Sequence, residues 1–584
     1  MSEIIVGIDL GTTNSEVAVV QDGKVVVIED SGRKILPSFV GISETNEMLV
    51  GETAKNQYIL YPERTIKSIK RRMGEDTKVE MADQAFSPQE ISAMILKRLK
   101  AIAEEYLQAP VNKAVITVPA YFNDDQRRAT REAGEIAGLE VVRMINEPTA
   151  AALSYEAAQK SQKRILVYDL GGGTFDVSVV SIEEDVVEVL ASHGNNKLGG
   201  DDFDQEIVEH LLERLREKFG EDLQLSRKAL ARINRAAEAA KLHLSDNPYV
   251  EIAEEFLDDY HGNPVHLLIE LSRDDYEDMI ADYIDETLEA VHIALNGAKL
   301  TASDLDEILL VGGSTRTPVV SRRLEEELHL TPRSEVDPDL CVATGAAIQA
   351  AIIAGRDVTA SAVLVDITPY TYGTNAIGER DGEVYPFVYV PIIHKNSPLP
   401  LTKTEAFYTV FDNQEKVDVR VYQGEDSDAL NNHQLGEFLI ESLSKVPAGN
   451  PILLTLHLDV NGILQVSAKE KQTGLEKSIV IEHAISRFEE GQLAKARERI
   501  NAMFGEEIAR AKATVKDPET HHVTVQAQAL VEKAERMLEK ASTEDKEDII
   551  NLMETIKDAI ANKEIFALHQ PMEQLSDILY YLES

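Results

Sequence analysis

The chain has 584 residues, which is enough for several domains of ordinary size. Its 102 aspartate and glutamate residues outnumber its 59 lysine and arginine residues, and the formal net charge of −43 at pH 7 argues against non-specific binding to nucleic acid or to anionic lipid. A hydrophobic content of 43% excludes wholesale disorder, and a single cysteine excludes an intrachain disulfide and a cysteine-rich zinc site.

From Met1 to about Gly355, the sequence alternates between strand-like and helix-like segments. Strand-like runs occupy residues 4–10, 114–122, 164–180 and 307–315, and helix-like stretches occupy residues 91–107 and 126–139. Such alternation is typical of α/β layers. The sequence therefore predicts an α/β part over residues 1–356.

This α/β part contains an internal repeat, because GIDLGTTNSEVAVV at residues 7–20 is echoed by VYDLGGGTFDVSVV at residues 167–180. Each copy predicts a strand that delivers an aspartate, Asp9 or Asp169, into a Gly/Thr turn and a returning strand. Such turns can present backbone N–H groups to phosphate oxygens. We therefore predict a duplicated domain that holds a triphosphate from both sides, with both aspartates as Mg²⁺ ligands through water. Two ordinary β-hairpins are the alternative interpretation.

Two further glycine turns precede predicted helices, at residues 198–202 (LGGDD) and 311–316 (VGGSTR). Backbone amides at a helix N-terminus favour anionic or polar ligands. The chain contains neither a G-x-x-x-x-G-K-[ST] loop nor a G-x-G-x-x-G fingerprint, which argues against a P-loop ATPase and against a dinucleotide-binding domain of the usual kind.

Residues 357–366 follow the predicted α/β part, and the middle of this segment, residues 362–366 (AVLVD), is apolar. A solvated linker is normally polar or rich in glycine, serine or proline. One interpretation is that this segment is the first strand of the next domain. The other is a linker that docks on one domain in one state and is released in another.

The rest of the chain divides into a region of predicted strands and a region of predicted helices. Period-2 runs over residues 367–482, with Asn461-Gly462 as a hairpin signal, predict an antiparallel β domain. Residues 483–584 read as helical throughout. Two apolar stripes predict two or three packed helices there, namely Leu530, Ala534, Met537 and Leu538, and Ile549, Leu552, Met553, Ile556 and Ile560.

The motifs DLGTTNS, VPAYFNDDQR, INEPTAAALSY, DLGGGTFDVS, LGGDDFD and VGGSTR, in this order and spacing, resemble the DnaK-type 70-kilodalton heat-shock chaperone family. The resemblance covers residues 3–482. Beyond them, the end of the chain resembles the family only in its helical character and its position. It implies an actin-like duplicated α/β ATPase domain (1–356), an interdomain linker (357–366), an antiparallel β-sandwich peptide-binding domain (367–482) and an α-helical lid (483–584).

The same resemblance implies an ATP-dependent chaperone that binds extended apolar segments of unfolded proteins, with ATP hydrolysis switching client affinity. Its ligands would be ATP or ADP and Mg²⁺, and its partners unfolded or nascent polypeptides, a J-domain co-chaperone and a nucleotide exchange factor, with no nucleic acid and no membrane. The start of the chain lacks the pattern of a signal peptide, so we expect a cytoplasmic protein. A regulatory or exchange-factor-like relative with weak ATPase and a small-molecule kinase of the actin superfamily are the alternative functions.

The resemblance implies functional roles for the residues of this sequence that match the family's motifs. The catalytic positions implied are Lys70, Glu147, Asp169, Thr174 and Asp176, and the metal positions are Asp9 and Asp169. The nucleotide-binding positions implied are Gly11, Thr12, Thr13, Asn14, Gly171, Gly172, Gly173, Gly200, Asp201, Glu238, Lys241, Ser245, Gly312, Gly313, Ser314, Arg316 and Asp339. Pro119, Arg127, Arg143 and Asn146 match positions that relay between this site and the linker or a J-domain partner.

The peptide-binding positions implied are Tyr372, Thr374, Ile377, Phe407, Val410, Val417 and Val419, and their alternative role is ordinary sandwich core. The family usually carries aliphatic residues where Tyr372 and Thr374 stand. The segment from Ile377 to Lys395 is also longer and more apolar than usual, so the peptide preference is expected to differ from that of typical relatives.

Overall fold

The computed structural model describes residues 3–159, 162–183, 186–333, 337–356, 358, 363–380, 382–471, 476–480 and 491–514, and the positions 534, 546, 549–550, 552–553, 555–557, 571 and 575. Its contacts divide the chain into two units, Met1–Ile500 and Asn501–Ser584. The first unit mixes helices with several separate sheets.

Two larger sheets in the first unit each contain one copy of the internal repeat. One has the order β11-β10-β1-β2-β3, with β4 paired to β2, and consists of β1 (Ile5–Leu10), β2 (Asn14–Gln21), β3 (Lys24–Val27), β4 (Leu36–Pro37), β10 (Lys113–Val118) and β11 (Glu140–Asn146). The other has the order β17-β12-β13-β14-β18 and consists of β12 (Lys163–Leu170), β13 (Phe175–Glu183), β14 (Val186–Asn195), β17 (Glu307–Val311) and β18 (Val363–Val365). In both copies the predicted strand, tight turn and antiparallel return strand are confirmed.

Helices and small sheets surround these two sheets. The helices are α1 (Glu52–Tyr58), α2 (Pro88–Leu107), α3 (Asp124–Ile136), α4 (Glu147–Gln159), α5 (Gly200–Phe219), α6 (Arg227–Asp246), α7 (Arg273–Met279), α8 (Ala281–Ala298), α9 (Pro318–Leu328) and α10 (Cys341–Ile353). The small sheets are β5 (Val40–Ile42) with β6 (Met48–Val50) and β7 (Thr65–Ile66), β8 (Val79–Met81) with β9 (Gln84–Phe86), and β15 (Tyr249–Tyr260) with β16 (Asn263–Ser272).

Helices α4 and α10 connect the two larger sheets. One hydrophobic cluster includes Ile5 and Val115 of the first sheet, Ile165 of the second, and residues of both helices. The two helices approach at backbone distance, because a Cβ added to Gly345 would lie 1.8 Å from the carbonyl oxygen of Ala150. The sheets are therefore held on either side of a shared helical core, which leaves their repeated turns facing each other. The single cysteine, Cys341, is buried in this core, as its apolar surroundings predict.

Two four-stranded antiparallel sheets follow, and their inner faces share one hydrophobic cluster. The first has the order β20-β19-β22-β23, with β19 (Tyr372–Arg380), β20 (Glu383–Ile393), β22 (Lys416–Gln423) and β23 (His433–Glu441). The second has the order β21-β24-β25-β26, with β21 (Leu401–Tyr408), β24 (Pro451–Leu458), β25 (Leu464–Glu470) and β26 (Glu476–Val480). The hairpin predicted at Asn461-Gly462 is confirmed, since β24 pairs with β25 up to Leu458 and Leu464, and Gly462 has a φ of 74°.

The apolar segment between these parts forms strand β18 on the α/β part. It pairs in parallel with β14, with Val363, Leu364 and Val365 opposite residues 186–188. The strand thus belongs to the second α/β sheet and to neither of the four-stranded sheets. The next residue, Asp366, is buried and accepts a hydrogen bond of 2.8 Å from the Asn146 side-chain amide.

The β-rich part also contacts the α/β part directly. The backbone N–H of Met144 donates to Asn461 Oδ1 at 2.9 Å, and the Tyr370 hydroxyl donates to the carbonyl of Tyr121 at 2.8 Å. Nε2 of His433 lies 2.8 Å from Oδ2 of Asp125. The structure therefore shows these two parts docked against each other.

The helical end is described only in part. Helix α11 (Gln492–Thr514) is present, and Ala534, Ile549, Leu552, Met553 and Ile556 of the predicted stripes are in helical conformation. The other predicted stripe positions, Leu530, Met537, Leu538 and Ile560, lie outside the described residues. Within the described ranges, none of the helices combines the length and the apolar character needed to cross a membrane.

Candidate functional site

A cleft lies where the two repeated turns meet. Its walls are formed by Asp9, Gly11, Thr12, Thr13, Asn14, Glu16, Lys70, Glu147, Asp169, Gly171, Gly172, Thr174, Val311, Gly312, Gly313, Pro338, Asp339 and Val342. Both copies of the repeat therefore contribute, together with the predicted glycine turn at residues 311–316. This arrangement supports the duplicated-site interpretation over two unrelated hairpins.

The two repeated turns approach each other too closely for larger residues. A Cβ added to Gly172 would lie 1.8 Å from the Thr13 hydroxyl oxygen, so glycine is required at this position. The turn of the second copy is closed by a hydrogen bond from the Gly171 N–H to the Thr174 carbonyl at 3.1 Å. The Thr13 hydroxyl is buried and makes no hydrogen bond within the described structure. A buried hydroxyl without a protein partner is suited to an oxygen-rich ligand in the cleft.

Lys70 places one positive charge among several carboxylates at the base of the cleft. It is buried on a short 3₁₀ turn, Ile69–Arg72, and its Nζ lies 2.5 Å from Oε1 of Glu147, the first residue of α4. Burial acts to lower the pKa of Lys70, but the neighbouring Glu147 and Asp9 outweigh it and raise the pKa overall. The lysine is therefore charged at neutral pH.

Asp9 and Asp169 line the cleft near this lysine, each toward the end of the first strand of its repeat. Burial and the charge of Glu147 raise the pKa of Asp9 to about 7, although the Thr117 hydroxyl donates to its Oδ1 at 2.6 Å. Burial and the same glutamate raise the pKa of Asp169 well above its usual value. The carboxylates outnumber the single lysine, so a bound cation would stabilise their ionised forms.

These carboxylates fit Mg²⁺ bound mainly through phosphate and water. No group of three or more acidic, histidine or cysteine side chains within the described residues is arranged to hold a metal alone. Mg²⁺ usually keeps several waters and takes one or two carboxylates beside substrate phosphates. Asp9 and Asp169 provide that number of ligands in a cleft lined by glycine and threonine turns.

Asp176, a predicted catalytic residue, does not line the cleft. Its side chain is 1% exposed, and its Oδ1 accepts the Tyr121 backbone N–H at 3.0 Å. Burial and the charge of Glu147 raise the pKa of Asp176 to about 7, while the backbone N–H groups of Tyr121 and Ala120 act in the opposite direction. The Asp176 carboxylate is thus held by the backbone at residue 121 and is not part of the cleft wall.

The predicted nucleotide positions divide into two groups. Gly312, Gly313 and Asp339 line the cleft with the repeated turns, whereas Gly173, Gly200, Asp201, Glu238, Lys241, Ser245, Ser314 and Arg316 do not. Two members of the second group bind a wall residue directly, because the Gly200 N–H and the Ser314 hydroxyl donate to the Gly171 carbonyl at 3.0 Å and 2.9 Å. The Lys241 ammonium in turn donates to the Gly200 carbonyl at 3.0 Å.

Helix α6 carries three of the implied nucleotide-binding positions, Glu238, Lys241 and Ser245, and two of them are in ion pairs. Glu238 Oε1 lies 3.0 Å from the Lys55 ammonium, and Lys241 lies 2.8 Å from Asp204 Oδ1. At the end of the glycine turn at residues 311–316, the Arg316 guanidinium lies 2.7 Å from Asp339 Oδ2. The first of these ion pairs joins α1 to α6, the second joins α5 to α6, and the third joins the turn at residues 311–316 to the segment before α10.

Sequence reasoning missed Glu16, which lines the cleft and is 3% exposed. Burial, followed by the charge of Asp9, raises its pKa well above the usual value. The signal was present, because Glu16 occupies the position in the first repeat that Asp176 occupies in the second. The strand registers agree, with Asp9 opposite Glu16 and Asp169 opposite Asp176.

The structure distributes the predicted peptide-binding residues over different environments. Tyr372, Thr374 and Val419 are buried, Phe407 and Val417 are half-buried against the shared core, and Ile377 and Val410 are exposed. The Tyr372 hydroxyl accepts a hydrogen bond from Gln423 Nε2 at 2.9 Å, and the Thr374 hydroxyl donates to the Arg420 carbonyl at 2.7 Å. Both hydroxyls of the unusual residues are therefore engaged inside the β-rich part.

The relay positions lie between the two docked parts. Arg127 donates to the side chain of Asn146 at 2.7 Å, and Asn146 in turn donates to Asp366. Arg143 lies near Asp366 and Asp459, which act to raise its pKa, but burial outweighs them and lowers it. Pro119 directly follows β10 and begins the turn that contains Tyr121.

Comparisons with known proteins match nearly the whole chain to one family. The family model described as Hsp70 protein matches residues 5–583. The chaperone protein DnaK of Thermosipho africanus is 44% identical over 582 residues, which cover 98% of this chain and 95% of that protein. The chaperone proteins DnaK of Thermotoga neapolitana and Thermotoga maritima are each 49% identical over 491 residues, which cover 82% of this chain and 80% of those proteins.

Proposed function

This chain belongs to the Hsp70 family, and from this we propose that it is an ATP-dependent molecular chaperone with ATPase activity, acting in protein folding and the stress response. The observation that carries the proposal is the cleft itself, in which two Gly/Thr turns of one repeated motif face each other around Lys70, Asp9 and Asp169. Such a site suits phosphoryl transfer to water, which depends on positioning and charge neutralisation and needs no covalent intermediate.

In this proposal the turns at residues 11–14 and 171–174 bind the phosphates, with the Thr13 hydroxyl free to donate to them. Asp9 and Asp169 hold Mg²⁺ through water, and the metal supplies positive charge beside the phosphates. The Lys70 ammonium holds the attacking water and neutralises charge at the γ-phosphate. Glu147, Asp169 or Asp176 orients that water or accepts its proton, and α6 with the glycine turn at residues 311–316 holds the adenosine.

We assign residues 1–356 to the ATPase domain, 357–366 to the linker, 367–482 to a β-sandwich that binds clients and 483–584 to the lid. The shared core of the two four-stranded sheets and the docking of β18 on β14 support this division. The clients are unfolded or nascent polypeptides, and a J-domain co-chaperone and a nucleotide exchange factor complete the cycle. The cytoplasm is the proposed compartment.

The test of this function is the steady-state ATPase rate of the full chain with and without a panel of unfolded peptides. A chaperone of this type hydrolyses ATP slowly alone and faster with apolar peptides. A parallel screen for phosphorylated metabolites addresses the alternative of a small-molecule kinase. Absence of ATP hydrolysis, or phosphate transfer to a metabolite without a peptide effect, would refute the proposal.

Asp9→Asn should weaken the Mg²⁺-dependent part of ATP affinity by about 10- to 100-fold, because one anionic metal ligand becomes neutral. The asparagine Oδ1 can still accept the Thr117 hydroxyl, so the fold should survive. Nucleotide titrations with and without Mg²⁺ measure the effect. Asp30→Asn, which alters a carboxylate paired with Arg98 outside the cleft, is the control. Unaltered Mg²⁺ dependence would contradict the assignment of Asp9.

Val417→Phe should reduce peptide affinity by roughly ten- to a hundredfold, because an extra ring fills the space of a client side chain. Val417 is only half-buried at the margin of the shared core, so the β-sandwich should still fold. Fluorescent-peptide titration measures the affinity. Asp418→Phe places the same ring on the opposite face of the strand and should bind peptide normally. Normal binding by Val417→Phe would place the groove elsewhere.

A further inference from the structure

Asp176 is held away from the cleft by the backbone of residues 120 and 121. The Tyr121 N–H donates to its Oδ1 at 3.0 Å, and the Ala120 backbone also hydrogen-bonds the carboxylate. On the other side, a Cβ added to Gly194 of β14 would lie 2.7 Å from this same oxygen. The carboxylate is therefore fixed between Tyr121 and β14. Motion of residue 121 would free this oxygen from its hydrogen bond.

Residue 121 is itself held by a tyrosine from the β-rich part. The Tyr370 hydroxyl donates to the Tyr121 carbonyl at 2.8 Å, and the two rings pack with centroids 4.7 Å apart. The Asn196 side chain donates to the same carbonyl at 2.8 Å, and the His193 ring packs edge-on against Tyr121 at 4.9 Å. Of these contacts, only those of Tyr370 come from the β-rich part. They exist only while that part is docked.

We propose that Tyr370 is a positioning residue that holds Tyr121 and, through its N–H, keeps the Asp176 carboxylate out of the cleft while the two parts are docked. Docking then slows ATP hydrolysis through this contact, and undocking releases the carboxylate toward the attacking water. The inference rests on the proposed function, in which Asp176 orients the water or accepts its proton. Tyr370 was not among the residues singled out from the sequence, because only the docked arrangement brings it to Tyr121.

The test compares wild type with Tyr370→Phe, which keeps the ring and removes the hydroxyl. A single buried hydrogen bond between neutral groups is worth enough that its loss should raise the basal kcat about three- to tenfold. The KM for ATP should stay unchanged, because Tyr370 does not line the cleft. Amide hydrogen exchange at Tyr121 should be faster by a similar factor. Tyr370→Leu, which also removes the ring, should exceed both effects.

Tyr389→Phe is the matched control, since it removes a buried hydroxyl that donates to the Thr371 carbonyl at 3.1 Å within the β-rich part. It should leave kcat and exchange at Tyr121 as in wild type. Combined with Leu364→Asp and Val365→Asp, which remove docking, Tyr370→Phe should have no further effect on kcat.

An unchanged or lower kcat in Tyr370→Phe would overturn the inference, as would an equal increase in Tyr389→Phe. The exchange measurement separates this failure from failure of the proposed function. A wild-type protein that hydrolyses no ATP would refute the ATPase assignment. In that case, unchanged exchange at Tyr121 in Tyr370→Phe would still show independently that the hydroxyl does not hold this residue.

Discussion

Lys70→Ala should abolish ATP hydrolysis, with a loss of at least about a hundredfold, while ATP affinity stays within about tenfold of wild type. The Lys70 ammonium is buried against Glu147 and lies near Asp9 and Asp169, so it is the positive charge fixed at the base of the cleft. Its contribution is largest where negative charge develops at the γ-phosphate during transfer. Single-turnover hydrolysis and equilibrium binding of ATP measure the two quantities separately.

The alanine variant also leaves buried carboxylates without their counter-ion, so its thermal stability must be measured alongside its activity. Lys70→Arg keeps the charge with altered geometry and should retain part of the rate. Lys113→Ala is the control, because Lys113 pairs with Glu3 and Glu140 outside the cleft. Loss of ATP binding, with normal hydrolysis of the ATP that still binds, would refute the role assigned to Lys70.

The double variant Leu364→Asp, Val365→Asp should lose the stimulation of ATPase by peptides, while peptide binding survives and basal hydrolysis persists at or above the wild-type rate. Leu364 packs against the hydrophobic cluster between the two α/β sheets, and Val365 is half-buried on the same strand. An ionised carboxylate at either position would be buried without a partner whenever β18 docks, which strongly disfavours the docked arrangement. ATPase rates across a peptide titration, with peptide affinity measured in parallel, show whether the two activities have separated.

Val363→Asp is a matched control within the same strand. The Val363 side chain is 61% exposed although its backbone pairs with β14, so an aspartate there remains in water. This variant should keep peptide stimulation. Stimulation that persists in the double variant would show that the segment is only a tether between the parts.

Much of the fold followed from short-range patterns. The repeat at residues 7–20 and 167–180 predicted two strand–turn–strand units with their aspartates at equivalent places, because glycine turns and period-2 runs are local signals. The same holds for the hairpin at Asn461-Gly462 and for the helix that begins at Gly200. The wall residues of the cleft near these turns were predictable for the same reason.

The remaining features depend on contacts between distant segments. Both interpretations of residues 362–366 were compatible with an apolar run, and only the pairing of β18 with β14 distinguishes them. The withdrawal of Asp176 depends on Tyr121, and the burial of Tyr372 depends on the shared core. A pattern along the chain indicates which residues can approach a site, but the packing of separate parts decides which of them do.

The pairing of β18 with β14 also protects an edge. When residues 363–365 leave, β14 becomes the outermost strand of its sheet and presents unpaired backbone groups over residues 186–188 to solvent. An edge of this kind can pair with strands from other chains, a hazard for a protein that works among unfolded polypeptides. The exposed length is short, and Glu183 and Glu188 place negative charge along the adjoining strands. In a chain of net charge −43, that charge disfavours edge-to-edge pairing of two copies.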